Sequence, residues 1–252
     1  MMNAFEYAKL FLFRPTDAAE AAEKDGAIDL GLKVYALWVA ASLLYLWLKP
    51  YDFPDVNAPV PTHVYGFTFW LRVAFWEPVL AVMNVALAAL VLDWMREGWL
   101  PLRTAVATFW SAVPLILTIA YTKAGLPRAA FGALMIVWAL PGAWVARRVP
   151  AADWRKAAAF LLGLNAVGLV VLIPEIAATA FRSDLAYKAS LFLSVAWLLV
   201  SGGVGLARLF RTSVARAVLA FLFANLVLNL VIAAAYLLHW LPLEVLKVLV
   251  YV

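Results

Sequence analysis

Four asparagines, Asn84, Asn165, Asn225 and Asn229, stand inside long apolar runs, where an amide is costly and therefore informative. Asn225 and Asn229 are four residues apart and share one face of a helix. Such amides have two uses: hydrogen bonds between helices that fix packing, which is the ordinary one, or a polar path for a substrate. Glu77, Asp93 and Glu175 fall at or near the ends of the runs. Arg72 and Glu77 flank one run and Glu175 follows Pro174 at the end of another, so the three form a candidate outer pocket. The alternative is that they snorkel to lipid headgroups. No Asp, Glu, Lys, Arg or His is expected in the middle of a run. That weighs against a proton-driven pump and, for lysine, against a retinal Schiff base.

Other chemistry finds little support. His63 and His239 cannot alone make a His-rich metal site, and with no cysteine there is no thiolate nucleophile or thiolate metal ligand. No Walker loop, no His-Glu-x-x-His and no Gly-x-Ser-x-Gly occurs. Asp93 by itself does not make an aspartyl protease pair. The expectation is a protein with no catalytic residue, no metal and no cofactor.

The composition explains why polar residues are so few. Of 252 residues 67% are hydrophobic and 14% charged, with a mean hydropathy of +0.92, against about 45–50% and about 25% in an ordinary soluble domain. A chain this small exposes too much surface to hide that excess in one core, so its solvent is lipid. A soluble enzyme, a nucleic-acid-binding domain and a disordered regulator are excluded.

A spanning helix needs about 20 largely apolar residues. Seven runs qualify: Leu30 to Leu48, Pro78 to Trp94, Leu102 to Tyr121, Ala129 to Val145, Ala157 to Ile173, Leu191 to Leu209 and Val214 to Leu238. Six or eight are the bounds, because the flank from Tyr65 to Trp76 would be a re-entrant segment of its own, and Ser201, Gly202 and Gly203 thin the sixth run. Pro114 and Pro141 interrupt the third and fourth and predict kinks. The fold class is an all-α polytopic transmembrane bundle of about seven spans.

Before the first span comes a leader, residues 1–27. Met1, Ala4, Phe5, Ala8, Phe11 and Leu12 fall on one helical face, with Asn3, Glu6 and Arg14 opposite, the pattern of an amphipathic helix in the membrane interface. Arg14-Pro15 stops it, and Asp17 with Glu20 predicts a capping box opening a short acidic helix. After the first span, Pro50, Pro54, Pro59 and Pro61 predict a stiff connector. The aromatic residues from Tyr65 to Trp76 fit an interfacial belt.

Seven of the 20 Lys and Arg residues (Lys49, Arg72, Lys123, Arg128, Arg182, Lys188, Lys247) fall on one side of this arrangement and 13 on the side of the N-terminus. The excess predicts a cytoplasmic N-terminus and a C-terminus outside. In this cysteine-free chain, Asp55→Cys is expected to react with an impermeant maleimide in intact cells and Asp153→Cys only after permeabilisation. The opposite pattern means an inverted protein.

The order of features from Phe5 to Pro174 resembles the bacterial branch of the Yip-domain membrane family. The likeness rests on a leader ending in Phe13-Arg14-Pro15, an acidic helix, a first span, a Pro-rich loop and four close-set spans. Ala112-Val113-Pro114-Leu115 and Ile136-Val137-Trp138 add to it. The resemblance implies a five-span domain over 28–174, followed by two further spans and a short tail over 175–252. The Asp-Leu-Tyr-Gly-Pro motif of eukaryotic members is missing, so their trafficking role does not carry over. What is implied is a non-enzymatic protein of the bacterial cytoplasmic membrane that organises the bilayer or recruits lipids, a protein partner or a second copy. Its membrane-interface leader would act through Phe5, Phe11, Leu12 and Arg14. No nucleic acid is expected as a partner. The alternative function is a small-molecule or lipid transporter, or the membrane subunit of one, using the four asparagines and the two proline kinks.

Overall fold

The computed structural model describes residues 2–50, 53 and 66–251. Met1, His63, Tyr65 and most of the Pro-rich connector lie outside the described residues. Among the described residues ten helices follow one another, with no strand. They are α1 Ala4–Phe13, α2 Pro15–Ala22, α3 Ala27–Leu48, α4 Phe67–Arg96, α5 Leu100–Lys123, α6 Arg128–Ala146, α7 Ala151–Ala180, α8 Asp184–Leu209, α9 Val214–Leu237 and α10 Leu243–Tyr251. Seven of them, α3 to α9, are long and apolar enough to cross a membrane. The protein is an all-α polytopic bundle and an integral membrane protein.

The helices exceed the expected spans most in α4 and α7, each of 30 residues. Pro78 and Pro174 lie inside them and do not end them. A proline within a helix forfeits one N–H bond, a loss tolerated in membranes where neighbouring groups re-satisfy the freed carbonyl. The flank from Phe67 to Trp76 is therefore the opening of α4 and not a separate re-entrant segment. The expected boundary between residues 174 and 175 falls within α7.

Helix α7 is the axis of the bundle. Of its apolar window 56% is buried, against 11% for α6 at the periphery. It packs on α1, α3, α4 and α8, while α9 lies against α4, α5 and α8, so the last two spans are part of one bundle. Small residues make this possible. A Cβ on Gly203 would stand 2.4 Å from Val218 of α9, and one on Gly205 would stand 2.1 Å from Phe160 of α7. The glycines of α8 thus serve close helix approach.

The proline-bearing helices α5 and α6 are joined beside Pro114. Pro114 has no N–H to offer the carbonyl of Trp110, four residues back, and that carbonyl accepts from the Trp138 indole at 2.8 Å. The Trp110 indole in turn donates to the Trp138 carbonyl at 3.3 Å, and the two rings stack with centroids 4.9 Å apart. Trp138→Phe keeps the stacking but orphans the Trp110 carbonyl. It is expected to lower stability in detergent by about 1 kcal/mol, read as a reduced thermal midpoint, whereas an unchanged midpoint would mean that the Trp110 carbonyl finds another donor.

The leader differs from its expected role. Its capping box forms at Asn3 and Glu6, where each side chain accepts from the other's backbone N–H. Pro15 at the first position of α2 starts that helix early and leaves Asp17 in the first turn, 3.8 Å from Arg14. Phe11 is buried and Leu12 partly so, against protein, while Phe5 is 69% and Phe13 73% exposed. Tyr7, on neither of the expected faces, is fully buried and donates from its phenol to the Ala159 carbonyl at 3.0 Å. Burial pushes that phenol above the usual tyrosine range, so it remains a neutral donor.

Ion pairs fasten the acidic stretch after α1 to the same end of the bundle. Glu20 meets Arg208 at 2.7 Å, Glu23 meets Lys156 at 3.4 Å and Asp25 meets Arg155 at 3.2 Å. These pairs are exposed, so they set register more than stability. Gly26, at φ 79°, makes the left-handed turn into α3.

The C-terminal tail is also structured. Val245 and Val248 of α10, with Leu241 before it, pack against Val73 of α4 and Ile232 and Ala235 of α9. His239 occupies the left-handed position after α9 at φ 60°. Past it, the Trp240 N–H returns to the Ala235 carbonyl at 2.9 Å and closes the helix end.

Candidate functional site

Two polar cavities lie one above the other along the α3–α7 seam. The inner one, about 150 Å³, is lined by Tyr35 and Trp38 of α3, Glu77 and Asn84 of α4, and Asn165 of α7, among apolar neighbours that include Leu228 of α9. The spacing explains the convergence. Tyr35 and Trp38 are three residues apart, while Glu77, Leu80, Ala81 and Asn84 recur at three, one and three, so each set shares a helix face. Glu77 is the eleventh residue of α4, about 15 Å along its axis, and Asn165 is the fifteenth of the 30 in α7. The cavity is thus near mid-bundle. The expectation that no charged group stands inside a span does not hold for Glu77, because the true helix begins eleven residues before the expected run.

Two buried polar atoms of this lining stand without a partner. The Asn84 Oδ1 and the Tyr35 hydroxyl are buried and unpaired. Asn165 donates its amide nitrogen to the carbonyls of Leu161 and Leu162 at 3.1 and 3.0 Å. Two carbonyls on one side require the nitrogen there and leave the oxygen as the amide's remaining group. Trp38 reaches the seam because α7 has Gly168 opposite it, where a Cβ would stand 2.6 Å from the indole nitrogen.

The outer cavity, about 50 Å³, shares Trp38 and Gly168 with this seam and continues through Ser42, Tyr45, Lys49, Glu175, Tyr187 and Ser194. The Lys49 ammonium lies over the rings of Tyr187 and Tyr45, at 5.3 and 5.9 Å from their centroids. Burial lowers its pKa below the ordinary lysine value, and the Glu175 carboxylate acts in the opposite sense. Tyr45 and Thr179 exchange a hydroxyl hydrogen bond of 2.8 Å, while the Ser42 hydroxyl is buried without a partner. Trp38 is the wall common to both cavities.

The leader packs on α7 beyond the inner cavity. Tyr7 and Phe11 press on Ala159 and Gly163 of α7, where a Cβ on Gly163 would stand 2.5 Å from the Phe11 ring. Gly31 of α3, also against Ala159, is one turn before Tyr35. The column therefore has leader below, the inner cavity above it, Trp38, then the outer cavity.

The expected constellations are regrouped by this geometry. Asn84 and Asn165 come together, whereas Asn225 and Asn229 return their amides to Phe221 and Asn225 of their own helix at 2.8 and 2.9 Å. They do not line the inner cavity. The expected outer pocket divides, with Glu77 in the inner cavity, Glu175 in the outer one and Arg72 exposed and lining neither. Asp93 lies near the end of α4, one turn before Arg96, which pairs with Asp153 at 3.8 Å. Pro141 borders an apolar cavity with Trp94, Trp110 and Gly142. Sequence reasoning missed Tyr35, Trp38 and Gly168; the available signal was the seven-residue spacing of Glu77 and Asn84, which puts them on one face. Among the described residues no group of three or more His, Cys, Asp or Glu is placed to hold a metal. Comparison with protein-family models, with curated proteins and with solved structures finds no match for this chain.

Proposed function

We propose that the protein is a non-enzymatic transporter of a small polar solute or lipid, or the membrane subunit of a transport complex. The observation that carries this reading is the pair of polar cavities along the α3–α7 seam of a lipid-solvated bundle, with the Trp38 indole as a wall of both. Buried unpaired polar groups are expensive in a membrane and mark substrate paths, and packing alone does not call for Glu77, Asn84 and Tyr35 around a void. The 13-to-7 distribution of basic residues supports an orientation with the leader on the cytoplasmic side.

Proteoliposomes loaded against a panel of labelled amines, amino acids, sugars and carboxylates, and fluorescent phospholipids assayed for flipping, test the proposal. One substrate class is expected to move, with Asn84→Ala cutting its rate at least tenfold and Asn229→Ala leaving it within a factor of two. No movement of any member, or equal losses in both variants, overturns it.

A second reading is kept by the exposed Phe5 and Phe13, with Lys9 over the Phe5 ring at 4.5 Å. These groups fit the headgroup region and support the Yip-like organiser of bilayer shape or partner recruitment. Deleting residues 1–13 separates the two readings. Vesicle deformation and localisation are lost if the leader organises the bilayer and unchanged if it only packs on α7.

A further inference from the structure

We propose that the inner cavity binds a primary ammonium group, so that the substrate is a small organic amine. This rests on the transport reading and specifies what its central site accepts. The argument starts from hydrogen-bond supply. Glu77 when ionised offers only acceptors, Asn84 Oδ1 is an acceptor with no partner, and Asn165 has spent its N–H donors on its own helix. The Tyr35 hydroxyl, also unpaired, can accept as well as donate. The Glu77 carboxylate, Asn84 Oδ1 and the Tyr35 oxygen together offer acceptors to a group that only donates, and an ammonium brings three N–H bonds in one compact charge.

Charge leads to the same class. Among the described residues the lining holds no Lys, Arg or His, so none of them gives the Glu77 carboxylate a countercharge in the cavity, and a bound cation supplies one where it is worth most. The aromatic wall separates organic from metal cations. Tyr35 and Trp38 stack with centroids 6.0 Å apart and an interplanar angle of 30°, giving the cavity adjoining π-faces. Such faces attract ammonium groups and the methylenes beside them, whereas a sodium ion prefers a shell of oxygens. The space, about 150 Å³, is far above the ~10–15 Å³ that admits one water. It accommodates an ammonium with a short carbon chain.

The test is isothermal titration of the full chain in lipid nanodiscs with n-propylammonium, n-propanol, propionate and sodium chloride. Propylammonium is expected to bind saturably and the alcohol and carboxylate not at all. Glu77→Gln, which keeps the side chain's size, should weaken propylammonium at least tenfold, and Asn84→Leu should do so too, while Asn84→Asp should keep or strengthen binding by restoring acceptors. Thermal midpoints of the variants in the absence of ligand verify that each is folded. Equal binding of propanol or propionate, an unaltered affinity in Glu77→Gln, or saturable sodium binding without propylammonium binding overturns the amine assignment. If propylammonium fails to bind yet the liposome panel shows uptake of another solute, the amine assignment falls and the transport reading stands. If neither binding nor uptake occurs, both fall.

Discussion

Gly163→Leu is expected to unseat the leader while leaving the seven spans assembled. The Gly163 Cβ would stand 2.5 Å from two atoms of the Phe11 ring and 2.8 Å from the Tyr7 ring, well inside van der Waals contact. Overfilling a packed site costs about 1–3 kcal/mol when the neighbours can shift. Here the cheaper response is for α1 to leave, forfeiting two fully buried rings, each of the kind whose truncation costs about 3–5 kcal/mol, together with the Tyr7 bond to Ala159. Helix α7 has no such option, because it is buried on several sides. Lys9 and Lys24 are already at the surface, but a packed backbone does not enter a protease, so a released leader should be cut after these lysines and the variant should lose its N-terminal segment in limited tryptic proteolysis under conditions in which the native protein retains it. Adding Phe11→Ala to Gly163→Leu trades ring volume for side-chain volume and should restore part of the protection. Unaltered protection in the single variant would show that the groove can widen.

Glu77→Leu is expected to act in opposite directions on function and stability. Transport should fall to background, because Glu77 is, among the described residues, the one acidic side chain in the inner cavity's lining. The thermal midpoint should hold or rise, since burying a carboxyl carries a desolvation cost that a leucine of similar volume does not. A structural role for Glu77 predicts the reverse: a lowered midpoint with transport reduced only in proportion to folded protein. Measuring uptake per folded molecule beside the midpoint decides between them, and uptake at the native rate in Glu77→Leu would remove the carboxylate from the path.

Much of the architecture was legible in the residue order. Every expected span corresponds to an observed helix, and the charge breaks at residues 96–103, 147–156 and 208–216 coincide with turns or helix ends. That works because lipid forbids unpaired backbone groups, so an apolar run of sufficient length has one outcome available to it. Proline misled the reading at Pro78, since a proline that stops a helix in water can be absorbed in a membrane, and with it Glu77 moved from a span's margin to its interior. The leader misled it in another way. An amphipathic pattern reports that one face is apolar, and Phe11 is as well satisfied by α7 as by acyl chains.

The sequence by itself determined the solvent, the helical class, a span count of about seven and some of the polar residues among which a site is sought. Each of these follows from local composition summed along the chain. Tertiary structure alone decided which of those residues meet. Asn84 and Asn165 are 81 positions apart and share a cavity, whereas Asn225 and Asn229, four apart, return their amides to their own helix. The reason is that a helix's periodicity states which residues share a face but not which neighbour that face will find. Here that choice rests on glycines whose missing Cβ atoms admit a particular ring, as Gly168 admits Trp38 and Gly163 admits Phe11, and such a fit exists only once the helices have been brought together.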